Sequence, residues 1–91
     1  MGVPYVYILR CSDGSFYTGA TTNLARRLEQ HQDGLASRYT RARLPVVRVW
    51  SRRCNTWGRA LREEYRIKQL RRSEKEALVR TGRARAKRRR S

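Results

Sequence analysis

Two short runs rich in aromatic and β-branched residues open the chain, Tyr5 to Arg10 and Ser15 to Gly19, with Ser12-Asp13-Gly14 between them. Runs of this kind around an Asp-Gly pair predict a β-hairpin. Its register has two solutions, because strand side chains alternate between faces. A two-residue Asp13-Gly14 loop pairs Arg10 with Tyr17 and turns Tyr7 and Tyr17 to opposite faces. A three-residue loop with Gly14 left-handed pairs Leu9 with Tyr17 and Tyr7 with Gly19, so the tyrosines share a face. Composition alone leaves both open.

Further on, the apolar period lengthens to that of a helix. Asn23 is an N-cap for a helix through about His31, ended before Gly34, with Leu24, Arg27, Leu28 and His31 on one side and Arg26 pointing away. Ala36 to Arg43 is basic, with room for one helical turn. Pro45-Val-Val-Arg-Val-Trp-Ser51 reads as a third strand, its proline at the first position, where a missing donor does least harm. A helix capped at Asn55 or Thr56 runs to about Leu70, and a shorter one opens at Ser73, where SEKE matches a capping box. Beyond Thr81-Gly82 the arginine-rich run is expected to be disordered. The expected fold class is α+β: a small three-stranded antiparallel sheet with flanking helices in the order ββαβαα. Residues 1–80 form one domain and residues 81–91 a basic tail.

Size and charge narrow the partners. With 91 residues there is room for one modest core. The formal net charge is +16, and taking away the seven cations of residues 80–91 still leaves +9 on the rest. A surface this basic suits polyphosphate, because contacts to it release condensed counterions. An anionic membrane surface is the rival, but no helix places bulky apolar residues beside its basic ones as an interfacial helix requires. No apolar stretch approaches the length of a membrane span, and the N-terminus does not read as a secretion signal. Cys11 and Cys54 offer no metal-binding spacing and read as buried free thiols. These features point to a cytoplasmic protein, with association with the nucleoid the natural variant.

One residue is out of place. In TWGRALREEYRIKQL the apolar stripe is Trp57, Ala60, Leu61, Tyr65 and Ile67, and at 100° per residue Glu64 falls in its middle whereas Glu63 does not. A carboxylate among core residues needs a cation or several donors. Arg27 is one candidate, as a plain buried ion pair; a hard divalent cation is the other.

Val6-Tyr7, Tyr17-Thr18-Gly19, Asn23-Leu24-Ala25-Arg26-Arg27-Leu28, Tyr39-Thr40-Arg41 and Ala60-Leu61-Arg62-Glu63-Glu64 together resemble the GIY-YIG nuclease family, in its small stand-alone bacterial branch. The resemblance spans residues 4 to about 79. It implies that both tyrosines face one site, which selects the three-residue loop. It further implies that Glu64 holds a single divalent cation, Mg2+ or Mn2+, and that Arg27 sits against the scissile phosphate. Tyr7, or a water it orients, takes the nucleophile's proton, Tyr17 holds the phosphate or water in line, and His31 matches a position that often carries Tyr or His. Phosphodiester hydrolysis needs these functions: an aligned nucleophile, stabilised phosphoryl oxygens and help for the leaving oxygen. Tyrosine, with a reference pKa near 10, needs a positive surrounding to act as a base, and Arg27 with a metal is expected to favour its phenolate.

The sequence departs from the family at three points. Tyr5 replaces the glycine that opens the first motif. Ala20 stands where the repair excinuclease type carries lysine, and the asparagine after that type's acidic helix has no clear match. The expected activity is a metal-dependent endonuclease acting on DNA first and RNA second, selective for shape, in repair or processing, with a protein partner for targeting. The alternative is a non-catalytic nucleic-acid-binding module. Arg38, Tyr39, Arg41, Arg43 and Lys68 are the candidate nucleic-acid contacts, with a solvated basic loop as the plainer reading of the first four. Gly19 is assigned to close packing of the first helix on the hairpin, Trp50 and Trp57 to the core. Oligomeric state is not legible.

Overall fold

The computed structural model describes residues 2–88. Its elements are β1 (Tyr5–Arg10), β2 (Phe16–Thr21), α1 (Leu24–Gln32), α2 (Arg38–Arg41), β3 (Val47–Arg53), α3 (Trp57–Lys68) and α4 (Arg72–Arg88). The fold is α+β, an antiparallel sheet in the order β2-β1-β3 with helices around it. The one helical turn allowed for in the basic segment is α2, so the full order is ββααβαα.

The hairpin takes the three-residue loop. The Cys11 N–H donates to the Ser15 carbonyl at 2.8 Å, Gly14 has φ +86°, and Leu9 pairs with Tyr17 and Tyr7 with Gly19. On the other side of β1 the register slips between Ile8 and Leu9, so Ile8 faces Trp50 and Leu9 faces Arg48. Val6, Ile8, Trp50, Ala60, Ile67 and Val79 make an apolar core on one face of the sheet. Tyr7, Leu9, Cys11 and Val46, with Leu24, Leu28, Tyr17 and Tyr39 beside them, fill the other. Both cysteines are buried and free.

Local chemistry sets most helix ends. Asn23 Oδ1 accepts from the Arg26 N–H, and Thr56 Oγ1 accepts from the Arg59 N–H. Gly34, at φ +76°, closes α1, with the Leu35 N–H returning to the Gln30 carbonyl. Three expectations are corrected. The box at α4 uses Glu74, whose Oε1 accepts from the Arg71 N–H at 2.7 Å, while Glu76 pairs with Arg72. Trp57 is 43% exposed, as are Leu61 and Tyr65 at 42% and 69%, so α3 buries Ala60 and Ile67 instead of the whole predicted stripe. Finally, α4 continues through Gly82, where the sequence suggested a stop. A Cβ there would lie 2.7 Å from Trp50 Cδ1 and Nε1, so this glycine lets the helix approach the sheet. The expected tail therefore begins as helix, and its residues 89–91 lie outside the described residues. Among the described residues no helix is long and apolar enough to cross a membrane.

Candidate functional site

Tyr7 comes from the central strand, and its ring lies across Gly19 of the neighbouring edge strand. A Cβ at position 19 would fall 2.5 Å from the Tyr7 Oη and 2.6 Å from Cζ, so only glycine leaves room for the phenol. The packing expected of Gly19 against the first helix is corrected: the atoms nearest to it are those of the Tyr7 ring. Tyr7 is fully buried, and its hydroxyl meets His31 Nε2 at 2.8 Å. His31, also fully buried, comes from the last turn of α1, and its Nδ1 lies 2.8 Å from Thr40 Oγ1 on α2. Tyr17 presents its ring to the same imidazole edge-on, 5.2 Å between centroids. The tyrosines and the histidine thus form one cluster on one face.

Electrostatics in this cluster are set chiefly by burial. The Tyr7 phenol is pushed up to about 12, because burial outweighs the lowering effect of Arg27 beside it, while the charges of Tyr17 and Glu64 add to the rise. The phenolate expected for Tyr7 is therefore disfavoured among the protein groups alone. His31 is pushed down to about 4, by burial first and the Arg27 charge second, and is neutral at neutral pH. At neutral pH the pair is a neutral imidazole hydrogen-bonded to a protonated phenol.

Arg27 is half-buried, and its Nε donates to Gln30 Oε1 at 3.1 Å. Among the described residues no ion pair joins it to Glu64, so the plain Arg27–Glu64 bridge is absent. Glu64 instead pairs with Lys68, 3.0 Å away and one turn on. Glu63 and Glu64 are equally covered, with side chains 21% and 20% exposed, so burial does not single out Glu64 as the helical wheel suggested. Their partners do separate them. Glu63 is held by Arg66 at 2.8 Å, with Arg52 farther off, and the Arg66 hydrogen bond keeps its carboxyl below the usual range.

Among the described residues there is no group of three His, Cys, Asp or Glu able to hold a metal. A cation at Glu64 would have one protein carboxylate and take its other ligands from water and substrate phosphate, a set that fits Mg2+ or Mn2+ and not zinc. Among the described residues Thr18 Oγ1, on the sheet face that α3 covers, is buried with no hydrogen-bond partner.

The candidate nucleic-acid contacts divide. Arg38 and Arg41 are exposed. Tyr39 stacks on Tyr17 at 6.1 Å, and the Arg43 guanidinium lies 3.8 Å above the Tyr39 ring, held by Asp13 at 3.0 Å. Lys68 is committed to Glu64. The residues that sequence reasoning missed are Thr40 and Asp13. Thr40 lies in the Tyr39-Thr40-Arg41 motif and Asp13 in the hairpin turn, but only the tertiary fold brings Thr40 under His31 and Asp13 to Arg43.

The family model for the GIY-YIG catalytic domain matches residues 3–77. The chain belongs to the GIY-YIG family. Within it, a UPF0213 protein of Halobacterium salinarum is 47% identical over 74 residues, covering 81% of this chain and 96% of its own length. A UPF0213 protein of Oceanobacillus iheyensis is 49% identical over 75 residues, covering 82% and 87%. The solution structure of a UPF0213 protein from Bacillus halodurans superposes with a TM-score of 0.55 at 46% identity, covering 84% of this chain and 81% of that one. A second solution structure, of an E. faecalis protein, gives 0.61 at 37% identity, covering 89% and 86%. These GIY-YIG relatives are small proteins of bacteria and archaea sharing nearly the whole α+β unit.

Proposed function

We propose that this chain is a divalent-metal-dependent endonuclease that hydrolyses phosphodiester bonds in DNA or structured nucleic acid. The observation that carries the reading is the buried Tyr7–His31 hydrogen bond of 2.8 Å, with Tyr17 against the same imidazole and Arg27 beside the phenol. In the proposed reaction an attacking water gives its proton to the Tyr7 oxygen as the Tyr7 O–H proton passes to His31 Nε2. Tyr7 stays neutral overall and the proton ends on His31 across an existing hydrogen bond, so the imidazole is the base. The negative charge of the bound phosphate has to offset the burial that disfavours its cation. Arg27 neutralises charge on the phosphoryl oxygens, as a preformed cation in a partly desolvated site should. Tyr17 aligns the phosphate or the water. Glu64 would hold Mg2+ or Mn2+, which when bound supplies charge stabilisation at the leaving oxygen. Arg38 and Arg41, exposed on α2, track the backbone, so selectivity follows substrate shape more than base sequence.

The test compares the wild-type protein with Glu64→Gln and Arg27→Ala on single-stranded, nicked and branched DNA and on structured RNA, with Mg2+ or Mn2+. Each substitution should lower cleavage by ~10²–10³-fold, the scale of removing one preorganised charge. Equal cutting by all three proteins would point to a contaminant and end the catalytic reading.

A second reading is favoured by one contact, the Lys68 ammonium 3.0 Å from Glu64 Oε2, which already neutralises the carboxylate a metal needs. On that reading the chain binds nucleic acid without cutting it. Binding would then be steeply salt-dependent, unchanged by EDTA, and accompanied by no cleavage with any metal.

A further inference from the structure

The imidazole of His31 has two nitrogens, and the fold gives each a different partner. Nε2 faces the Tyr7 hydroxyl at 2.8 Å and Nδ1 faces Thr40 Oγ1 at 2.8 Å. A neutral imidazole carries one proton, so which nitrogen holds it decides whether Nε2 can accept from Tyr7. Thr40 supplies the deciding constraint. Its hydroxyl donates to the Ser37 carbonyl at 3.3 Å, one helical turn back in α2. A hydroxyl has a single proton, and once it is given to Ser37 the oxygen can only accept from the ring. His31 Nδ1 is then the protonated nitrogen and Nε2 is bare.

We infer that Thr40 is a positioning residue for the proposed reaction: it fixes His31 in the Nδ1–H form so that Nε2 receives the Tyr7 proton. The inference rests on the endonuclease reading for its consequence, not for its geometry. When Nε2 takes the Tyr7 proton the ring becomes an imidazolium, the Nδ1–H stays bonded to Thr40, and the Tyr7 oxygen takes the proton of the attacking water, so every proton is accounted for. Thr40 is fully buried, as are His31 and Tyr7, so no solvent exchange selects the tautomer for them. Ser37 anchors the arrangement twice. Its side chain accepts from the Tyr39 N–H at 3.1 Å as the cap of α2, and its carbonyl receives the Thr40 hydroxyl. The short helix α2 therefore has a use beyond carrying basic side chains: it presents one hydroxyl, already oriented, to the back of the histidine.

The chain holds a single histidine, so a protein labelled with 15N only at histidine yields one imidazole spectrum. Wild-type protein at pH 7 should show Nδ1 with a protonated shift and Nε2 with an unprotonated one. Thr40→Val keeps the shape and removes the acceptor, and should move the tautomer toward Nε2–H. It should lower kcat by ~10²-fold with KM unchanged, the scale of losing one acid–base partner. Thr40→Ser should restore both spectrum and rate. A wild-type ring protonated at Nε2 overturns the inference without any variant, as does a Thr40→Val protein that keeps the wild-type tautomer or the wild-type kcat. Failure of the endonuclease reading looks different: no cleavage by wild-type protein, with the Nδ1–H spectrum intact and lost in Thr40→Val. That result would leave Thr40 as the group that sets the tautomer.

Discussion

The two faces of the central sheet share a strand but not a chemistry. Val6 and Ile8 of β1 point into a cluster with Trp50, Ala60, Ile67 and Val79, where apolar groups need no partners. Tyr7 and Leu9 of the same strand point the other way, into a layer that also buries His31 and Thr40. Polar atoms sealed from water cost free energy unless bonded, and here they bond in series, Tyr7 to His31 to Thr40 to Ser37. Alternation along six residues thus gives one strand an apolar core on one side and a bonded polar series on the other. The apolar face tolerates changes of shape at a cost in packing. On the polar face, removing one partner leaves a buried polar group unpaired, at a cost of ~1–3 kcal/mol.

The sharpest way to break this contrast is a cavity on the apolar side. Ile8 is fully buried there, and Ile8→Ala should lower the unfolding free energy by ~2–5 kcal/mol, measured by urea denaturation. Cleavage per folded molecule should hold, because the deletion lies opposite the tyrosine cluster. A stable variant that had lost cleavage would mean that the two faces are mechanically coupled and that the division between them is wrong.

The polar face has its own signature in pH. His31 titrates near 4 in the folded chain against an ordinary 6.5, so the unfolded chain binds the extra proton first. Stability from the neutral ring is complete above pH 6.5 and is lost as pH falls toward 4, by up to ~3 kcal/mol. His31→Gln removes this titration, so wild-type stability should fall relative to the variant, by up to ~3 kcal/mol, as pH drops through that window. Parallel stability curves for the two proteins from pH 7 to pH 4 would show that burial does not hold the imidazole neutral.

Legibility in the sequence follows the same division. The hairpin, both helix caps and Gly34 are local events, and each was readable from a few adjacent residues. The register of the hairpin was not fixed by composition; a resemblance chose it, and Gly14 and the Tyr7–Gly19 pair agree. What failed was the reach of a helical wheel. It put Leu61 and Tyr65 inside because they are apolar, but α3 meets the sheet along Ala60 and Ile67, and no periodicity reveals how a helix is rolled. Gly82 misled for a related reason: a residue that often ends a helix here permits contact with Trp50. Within the cluster, Tyr7, Tyr17, Arg27 and His31 carry roles that the motifs imply, whereas Thr40, though it sits in the Tyr39-Thr40-Arg41 motif, meets His31 only through the packing of α2 under α1.

The smallest effect tests the seam between the faces. Glu64 belongs to α3, the helix of the apolar side, yet its charge reaches Tyr7 on the other. Lys68 holds it at 3.0 Å with its own side chain 49% exposed, so the pair is worth only ~0.3–0.5 kcal/mol. Lys68→Ala should therefore shift Tm by no more than about 1–4 °C. The same substitution removes the cation that competes with a metal for the carboxylate. Freeing the carboxylate from a pair of that strength should let Mn2+ bind ~2-fold tighter, read as loss of the free-ion signal in electron paramagnetic resonance. If Lys68 belonged to the nucleic-acid contacts instead, the variant would bind DNA with a shallower salt dependence and leave Mn2+ affinity unchanged. Tighter metal with an unaltered salt slope would make the lysine a placeholder at the rim of the site, and α3 the element through which the apolar face takes part in the chemistry.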